Sequence, residues 1–143
     1  MAFLMDTCVW IDVERGALAA ADVAGLTGGQ DVFLSPVTLA ELRQGVELAG
    51  DSRLRQQRLA SLARIERSPL LVIDAGTGMI FGGLAAEIRA LGHRPRQRIQ
   101  DLWLASQAIQ HGCGFLTRNG RDFADIPGLE LRTYTLPDRR LEG

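Results

Sequence analysis

Acidic side chains recur in this chain at positions where a fold could gather them for chemistry. Asp6 follows a short apolar run, Glu41 lies early in a predicted helix, Asp101 opens another helix, and Asp122 follows a further apolar stretch. Crowded carboxylates raise one another's pKa. A divalent cation removes that cost, and oxygen-only ligands favour Mg²⁺ or Mn²⁺ over zinc. Such a site can activate water for attack on phosphorus.

Each acid also has a structural explanation. Asp6 and Asp101 fit helix N-caps, and Asp122 fits the cap of a turn. Glu41 has capping-box spacing to the threonine three residues before it, but Pro36 sets the start of that helix earlier. Asp74 is the comparison case, because it follows a predicted strand without any acidic neighbour. We expect Asp74 to be only an N-cap.

Composition narrows the possible functions. The 143 residues carry a net charge of −1, and all 16 basic residues are arginine. The absence of lysine excludes a Walker-type phosphate loop and a Schiff-base lysine. Cys8 and Cys113 form no CxxC pair, and the two histidines lack zinc-ligand spacing. No apolar run approaches the ~18 residues of a membrane span, so we expect a cytoplasmic protein without membrane contact.

Short apolar segments alternate with helical ones along the chain. Predicted strands cover residues 2–5, 31–35, 70–73, 113–117 and 129–134, and the main predicted helices cover 18–26, 36–50, 52–67, 75–91 and 99–111. This alternation predicts a three-layer α/β/α sandwich with a mostly parallel five-stranded sheet and right-handed crossovers. We expect one domain over residues 1–136 and a polar C-terminal tail over 137–143.

Four segments resemble, in order, the sequence motifs of PIN-domain proteins. They are Asp6–Asp12 (DTCVWID), Ser35–Leu42 (SPVTLAEL), Ile99–Ala105 (IQDLWLA) and Leu116–Phe123 (LTRNGRDF), the last continued by Ile126–Leu129 (IPGL). The likeness covers nearly the full chain and is closest to VapC-type toxins of type II toxin–antitoxin pairs. It implies a PIN-like sheet of order 3-2-1-4-5.

The resemblance also implies an activity and its residues. It implies an Mg²⁺- or Mn²⁺-dependent endoribonuclease toxin that leaves a 5′-phosphate and a 3′-hydroxyl, with Asp6, Glu41 and Asp101 as metal-binding acids. The fourth acidic position of many family members aligns with Asn119, and Asp122 comes three residues later. Either residue could complete the site.

Further expectations concern Thr117 and the partners. The hydroxyl of Thr117 would orient a carboxylate or a water molecule. The resemblance implies an RNA substrate such as tRNA, a VapB-type antitoxin that covers the acidic cleft, and a homodimer, with helices 36–67 as the partner surface. Arginines that flank the acidic motifs could bind RNA phosphates or be loop charges in solvent: Arg94, Arg96, Arg98, Arg118 and Arg121.

Two other functions compete with the nuclease. A phosphatase with an aspartate nucleophile normally has a second aspartate two residues on and a lysine further along, whereas Cys8 stands there and lysine is absent. A PIN-fold RNA-binding module with weak catalysis is the other rival. The joint presence of Asp6, Glu41 and Asp101 weighs against it, while Asn119 leaves room for it.

Overall fold

The computed structural model describes residues 1–137, so the expected tail lies outside the described residues from residue 138 onward. The described elements, in chain order, are β1 (Phe3–Met5), α1 (Thr7–Glu14), α2 (Ala20–Thr27), β2 (Val32–Phe33), α3 (Pro36–Glu47), α4 (Ser52–Ile65), α5 (Ala75–Ala90), a 3₁₀ turn (Pro95–Arg98), α6 (Ile99–Gln110), β3 (Gly114–Thr117), a second 3₁₀ turn (Gly120–Asp122) and β4 (Leu131–Thr133). None of the helices within residues 1–137 combines the length and apolar character needed to cross a bilayer.

The central sheet is parallel, with strand order β2-β1-β3-β4. In β1, Leu4 is the partner of Phe33 in β2 and of Phe115 in β3. At the other end of β3, Thr117 is the partner of Thr133 in β4. The α/β class and the parallel sheet are therefore confirmed. All four strands point the same way, so their carboxyl ends meet at one edge.

The expectation of a fifth strand over residues 70–73 is wrong, because this segment makes only one parallel bridge, between Leu70 and Leu34. Its neighbour β2 is two residues long, and Pro36 starts α3 soon after it. Beyond the bridge, the carbonyl oxygens of Leu71 and Val72 accept hydrogen bonds from a glutamine side chain instead of from a strand. The segment nevertheless lies beside β2, on the side predicted for it.

Apolar cores lie on both faces of the sheet. Leu4 and Phe115 pack with side chains of α5 and α6, and Phe3 and Met5 pack with side chains of α1 and α4. Gly114 is required opposite Phe3, because a Cβ atom there would lie 2.5 Å from the phenyl ring. The alternation along β1 thus buries both sheet faces.

The predicted helix starts are confirmed at two informative positions. Ser35 is the N-cap of α3 and accepts a hydrogen bond from the Val37 amide, with Pro36 in the first turn. Asp74 caps α5 and forms a capping box with Thr77. Since Ser35 caps α3, Glu41 is not needed as a capping residue and its carboxylate is available to the site.

A buried glutamine joins three parts of this core. The Gln107 side chain accepts a hydrogen bond from the Ser35 hydroxyl and donates to the Leu71 carbonyl oxygen at 2.7 Å. Ser35 and Gln107 are fully buried. The amide therefore ties α6 to the start of α3 and to the segment beside β2.

Replacing this amide tests its contribution. We expect Gln107→Leu to lower the free energy of unfolding by about 2–3 kcal/mol, because Ser35 and the Leu71 carbonyl lose their partners in a buried place. Urea unfolding measures the change. Gln100→Leu, on an exposed position of α6, is the control and should shift stability by no more than about 0.5 kcal/mol. Equal effects of the two substitutions would contradict this role.

Candidate active site

The site begins with the pairing of β1 and β3. Met5 is the register partner of Leu116, and the Asp6 amide donates to the Leu116 carbonyl oxygen at 2.9 Å. Asp6, directly after β1, and Thr117, the last residue of β3, therefore lie side by side at the carboxyl edge of the sheet. Asp6 is also the N-cap of α1, so its two predicted explanations, cap and site residue, apply together.

Both carboxylate oxygens of Asp6 are fixed. Oδ1 accepts from the Thr7 amide at 2.8 Å, and Oδ2 accepts from the Thr117 hydroxyl at 2.7 Å. Burial raises the pKa of Asp6, the hydrogen bonds from Thr117 and Thr7 oppose that rise, and the nearby charge of Asp122 adds to it. Thr117 thus orients a carboxylate, which is one of the two roles considered for it.

Glu41 is positioned through two threonines. The Thr7 hydroxyl donates to Glu41 Oε1 at 3.2 Å and lies 2.9 Å from the Thr38 hydroxyl. Partial burial raises the pKa of Glu41, and the negative charges of Asp6 and Asp101 raise it further, against the hydrogen bond from Thr7. One residue, Thr7, therefore links the strand end that carries Asp6 to the helix that carries Glu41.

Asp101 lies in the first turn of α6 and is half-buried. Burial raises its pKa from 3.8 to about 6, with further contributions from the charges of Asp6 and Asp122, while Arg98 lowers it. Asp101 is not the N-cap of α6, since Arg98 occupies that position. Its carboxylate therefore has no capping role, and the charges of Asp6 and Asp122 act on it.

Asp122 and Asn119, the two candidates for the fourth acidic position, have different surroundings. Both are exposed, and Asp122 ends the second 3₁₀ turn. The charge of Asp122 acts on both Asp6 and Asp101. Asn119 contacts the site through its backbone amide, which donates to the Thr117 hydroxyl at 3.0 Å, and its side chain makes no hydrogen bond within residues 1–137. Of the two candidates, Asp122 is therefore the one whose charge acts on the other acids.

Two of the five flanking arginines are engaged within the protein. Arg98 forms an ion pair with Asp125 at 2.6 Å, and Arg118 donates to both oxygens of Asp12, at 2.8 and 3.0 Å. The remaining three are exposed and form no ion pair with other residues of the described chain: Arg94, Arg96 and Arg121. These three are the ones available for phosphate contacts.

The sequence alone did not identify Asp12 as the residue that binds the segment after β3. Asp12 is buried and accepts from Arg118 and, at 2.7 Å, from the Tyr134 hydroxyl. Burial raises the pKa of Tyr134, and its hydrogen bond to Asp12 raises it further. No local spacing connects these residues, which are far apart in sequence. The position of Thr38 near the site could have been predicted, because Thr38 precedes Glu41 by about one helical turn.

The donor atoms of the acidic cluster suit a hard cation. They are carboxylate oxygens with threonine hydroxyls behind them, and soft ligands are absent apart from Cys8, whose thiol pKa burial raises. Within residues 1–137, no three His, Cys, Asp or Glu side chains converge closely enough to ligate one ion together. Mg²⁺ commonly keeps several waters and takes only one or two carboxylates directly. The residues therefore fit a hydrated ion.

A groove of about 640 Å³ adjoins this cluster. Its lining is contributed by α1, α3 and α4 and includes Thr7 and Glu41 beside apolar side chains: Ile11, Leu42, Leu54, Leu62 and Ile65. The ion pair of Arg64 with Glu14, at 2.6 Å, ties α4 to α1 across it. The acidic site is thus continuous with an apolar channel.

Proteins of a known family are similar to this chain over most of its length. The PIN domain family model matches residues 3–129. Ribonuclease VapC4 of Mycobacterium tuberculosis is 33% identical over 91% of this chain and 95% of its own length.

Two solved structures share the fold. The crystal structure of VapBC-5, a member of the VapBC family of toxin–antitoxin systems from Mycobacterium tuberculosis, matches with a TM-score of 0.74 and 29% identity over 93% of this chain and 98% of that chain. VapBC2 from Rickettsia felis, bound to a promoter DNA fragment, matches with a TM-score of 0.81 and 22% identity over 94% and 100%. The chain belongs to the PIN-domain family, and within it to the VapC group.

Proposed function

We propose that this chain is an endoribonuclease toxin that hydrolyses RNA phosphodiester bonds at the acidic cluster with bound Mg²⁺ or Mn²⁺. The observation that carries the proposal is the placement of Asp6 at the carboxyl end of β1, where Thr117 and Thr7 fix its carboxylate and Thr7 also binds Glu41. The charges of Asp6 and Asp122 act on Asp101, in the first turn of α6, which supports the same grouping. The names of the relatives, a ribonuclease among them, support the same activity. Acids that resist ionising together are stabilised by a cation.

Asp6, Glu41 and Asp101 would hold the hydrated ion, in part through its bound water molecules, with Asp122 in preference to Asn119 as the fourth acid. Asp122 is preferred because its charge acts on Asp6 and Asp101. The ion, when bound, supplies positive charge that lowers the pKa of water and offsets charge on the phosphate.

The protein's own side chains supply orientation and proton transfer. Thr117 and Thr7 hold Asp6 in one rotamer, so its oxygens do not reorganise during the reaction. Asp101 has no hydrogen-bond partner for its carboxylate within residues 1–137, and it accepts the proton of the attacking water. The water oxygen forms the new bond to phosphorus as the P–O3′ bond breaks, and the leaving 3′ oxygen takes up a proton from solvent water. The products are a 5′-phosphate and a 3′-hydroxyl.

RNA binding is assigned to the exposed arginines. Arg94 and Arg96 lie in the loop before α6, and Arg121 lies in the turn that carries Asp122. Guanidinium groups bind phosphates through paired hydrogen bonds. Their placement beside two of the site acids would guide a flexible, single-stranded part of a structured RNA such as tRNA, because the scissile bond must be exposed.

A VapB-type antitoxin is proposed to occupy the groove between α1, α3 and α4. The solved VapBC complex with 29% identity supports a partner of this kind. A peptide in the groove would contact Thr7 and Glu41, which line it, and would thereby cover the acidic cluster. A homodimer through the neighbouring surfaces of residues 36–67 belongs to the same proposal.

RNA cleavage tests the activity. We expect purified protein to cut cellular RNA only with Mg²⁺ or Mn²⁺, and Asp101→Asn to reduce the rate at least ~100-fold, because a site acid is lost. Asp74→Asn is the matched control, since Asp74 also precedes a helix but caps α5. It should cleave like wild type, with fragments compared on sequencing gels.

Three outcomes would contradict this proposal. Metal-independent cleavage would exclude the assigned cofactor, and equal loss in Asp74→Asn would exclude a specific role for Asp101. Absence of cleavage by folded, antitoxin-free protein on any RNA pool would favour the RNA-binding module.

Asp101→Asn, which should slow RNA cleavage, should raise the stability of the metal-free protein. The pKa of Asp101 is raised from 3.8 to about 6, so its stabilising effect exists below pH 3.8 and is lost as the pH rises through about 6. We expect Asp101→Asn to stabilise the metal-free protein by about 1 kcal/mol at pH 7.5, a value reduced because the carboxyl is half-exposed. Little difference is expected at pH 4.

Urea unfolding in EDTA at the two pH values measures this effect. Glu87→Gln removes an exposed acid of α5 that has no ion pair within residues 1–137, and it controls for the general loss of negative charge. A gain at pH 7.5 no larger for Asp101→Asn than for Glu87→Gln would show that Asp101 is not under electrostatic strain.

A further inference from the structure

A second charged cluster lies next to the acidic site. Arg98 Nη1 donates to Asp125 Oδ2 at 2.6 Å, and Arg98 Nη2 donates to Asp125 Oδ1 at 2.8 Å and to the main-chain oxygen of Asp122. His93 Nδ1 lies 2.5 Å from Asp125 Oδ2 on the outer side. The arginine therefore contacts the turn that carries Asp122 at two points.

The cluster joins the two segments that carry site acids. Arg98 is the N-cap of α6, three residues before Asp101, and Asp125 stands three residues after Asp122. The Arg98 side chain is only 18% exposed and that of Asp125 only 23% exposed. A planar, two-point arginine–carboxylate pair fixes orientation as well as distance. Its geometry sets the separation of the two segments.

The turn has little other polar attachment. The backbone hydrogen bonds of residues 120–126 are local, including Asp122 to Asn119 and Ile126 to Phe123. Within residues 1–137, the hydrogen bonds that tie this segment to other parts of the chain come from Arg98 and His93. Phe123 and Ile126 are buried, so apolar packing anchors the segment, and Arg98 and His93 supply its polar contacts to the rest of the described chain.

The ion pair persists across the pH range in which an RNA enzyme works. The hydrogen bond from Arg98, with a further one from His93, lowers the pKa of Asp125 to about 2. The same pair raises the pKa of Arg98. The positive charge of Arg98 also lowers the pKa of Asp101, against burial and the other acids. The Arg98 guanidinium is therefore bound to Asp125 and largely shielded from solvent.

We propose that Arg98 and Asp125 are positioning residues, whose ion pair holds the main chain of Asp122 beside Asp101. This inference rests on the proposed function of the acidic cluster. It replaces, for Arg98, the expectation of a direct phosphate contact, because its guanidinium is already occupied by Asp125 and by the Asp122 carbonyl.

The two roles predict different kinetics. With positioning, Arg98→Gln and Asp125→Asn each lower kcat by about 10- to 100-fold and leave KM within about two-fold, since small displacements of reacting groups are costly. The double variant is then no slower than the slower single variant, because both substitutions break one contact. With phosphate binding, Arg98→Gln raises KM and reduces the salt dependence of binding, whereas Asp125→Asn frees Arg98 and lowers KM.

The experiment combines kinetics with a readout that needs no RNA. Multiple-turnover cleavage of a fluorescent RNA oligonucleotide gives kcat and KM for wild type and the three variants. Hydrogen exchange of the peptide covering residues 119–126 should be faster in all three than in wild type. Arg89→Gln, an exposed arginine of α5 without an ion pair in residues 1–137, should match wild type in both. Arg98→Lys, which keeps charge but lacks the planar fork, serves if Arg98→Gln does not fold, and it should still lower kcat.

The outcomes separate this inference from the proposed function. An active wild type with unchanged kcat and unchanged exchange in Arg98→Gln would overturn the positioning role and leave the nuclease intact. A raised KM at constant kcat would also overturn it. A wild type that cleaves no RNA would overturn the proposed function, and the exchange rates then decide the positioning of Asp122 alone. Faster exchange at residues 119–126 supports that positioning, and equal exchange rejects it.

Discussion

Negative charge held in place at the carboxyl edge of a parallel sheet is the constraint on which this structure depends. The pairing of β1 with β3 sets Asp6 directly beside Thr117, and the hydroxyl of Thr117 and the amide of Thr7 hold the carboxylate at 2.7 and 2.8 Å. Because Asp6 is buried, its charge is poorly screened by water. Every acid added to this edge therefore raises the cost of ionising the others.

The surrounding residues keep the acids together despite that cost. Thr7 connects Asp6 to Glu41, and the Arg98–Asp125 pair connects the segments of the two remaining acids. Natural chains accept such local violations of electrostatic stability at sites where function requires them. The supporting contacts are neutral hydroxyls and amides or pairs on the periphery. They orient the carboxylates without cancelling their charge, and in the proposed function a cation fills that role.

Much of the site was predictable because it depends on local rules. Strand ends in a parallel sheet share one edge, so Asp6 and Thr117 could be placed there from the sequence. Pro36 argued against a capping role for Glu41, because it sets an earlier start of that helix. The prediction of a fifth strand was wrong because the composition of Leu70–Ile73 is typical of a strand, whereas its partner β2 is too short to extend the ladder. Strand formation depends on a partner that the segment itself does not encode.

Tertiary pairing explains the rest of what sequence reasoning missed. From the sequence, Arg98 and Arg118 could be phosphate contacts or loop charges in solvent, but their carboxylate partners lie 27 and 106 residues away in the chain. Sequence periodicity gives no indication of ion pairs between residues so far apart in the chain. The same limit applied to Asp122 and Asn119, since spacing placed both near Thr117. Only the three-dimensional arrangement shows that the charge of Asp122 acts on Asp6.

The most direct test of the cation's role is titration of Mn²⁺ into the metal-free protein. Binding is measured by isothermal titration calorimetry or by the electron paramagnetic resonance signal of the free Mn²⁺. We expect saturable binding in wild type at pH 7.5 and at least ~10-fold weaker binding in Asp6→Asn, because an acid that would hold the ion is lost. Asp74→Asn should bind like wild type. Equal Mn²⁺ affinity in wild type and Asp6→Asn would contradict the assignment of this cluster as the metal site.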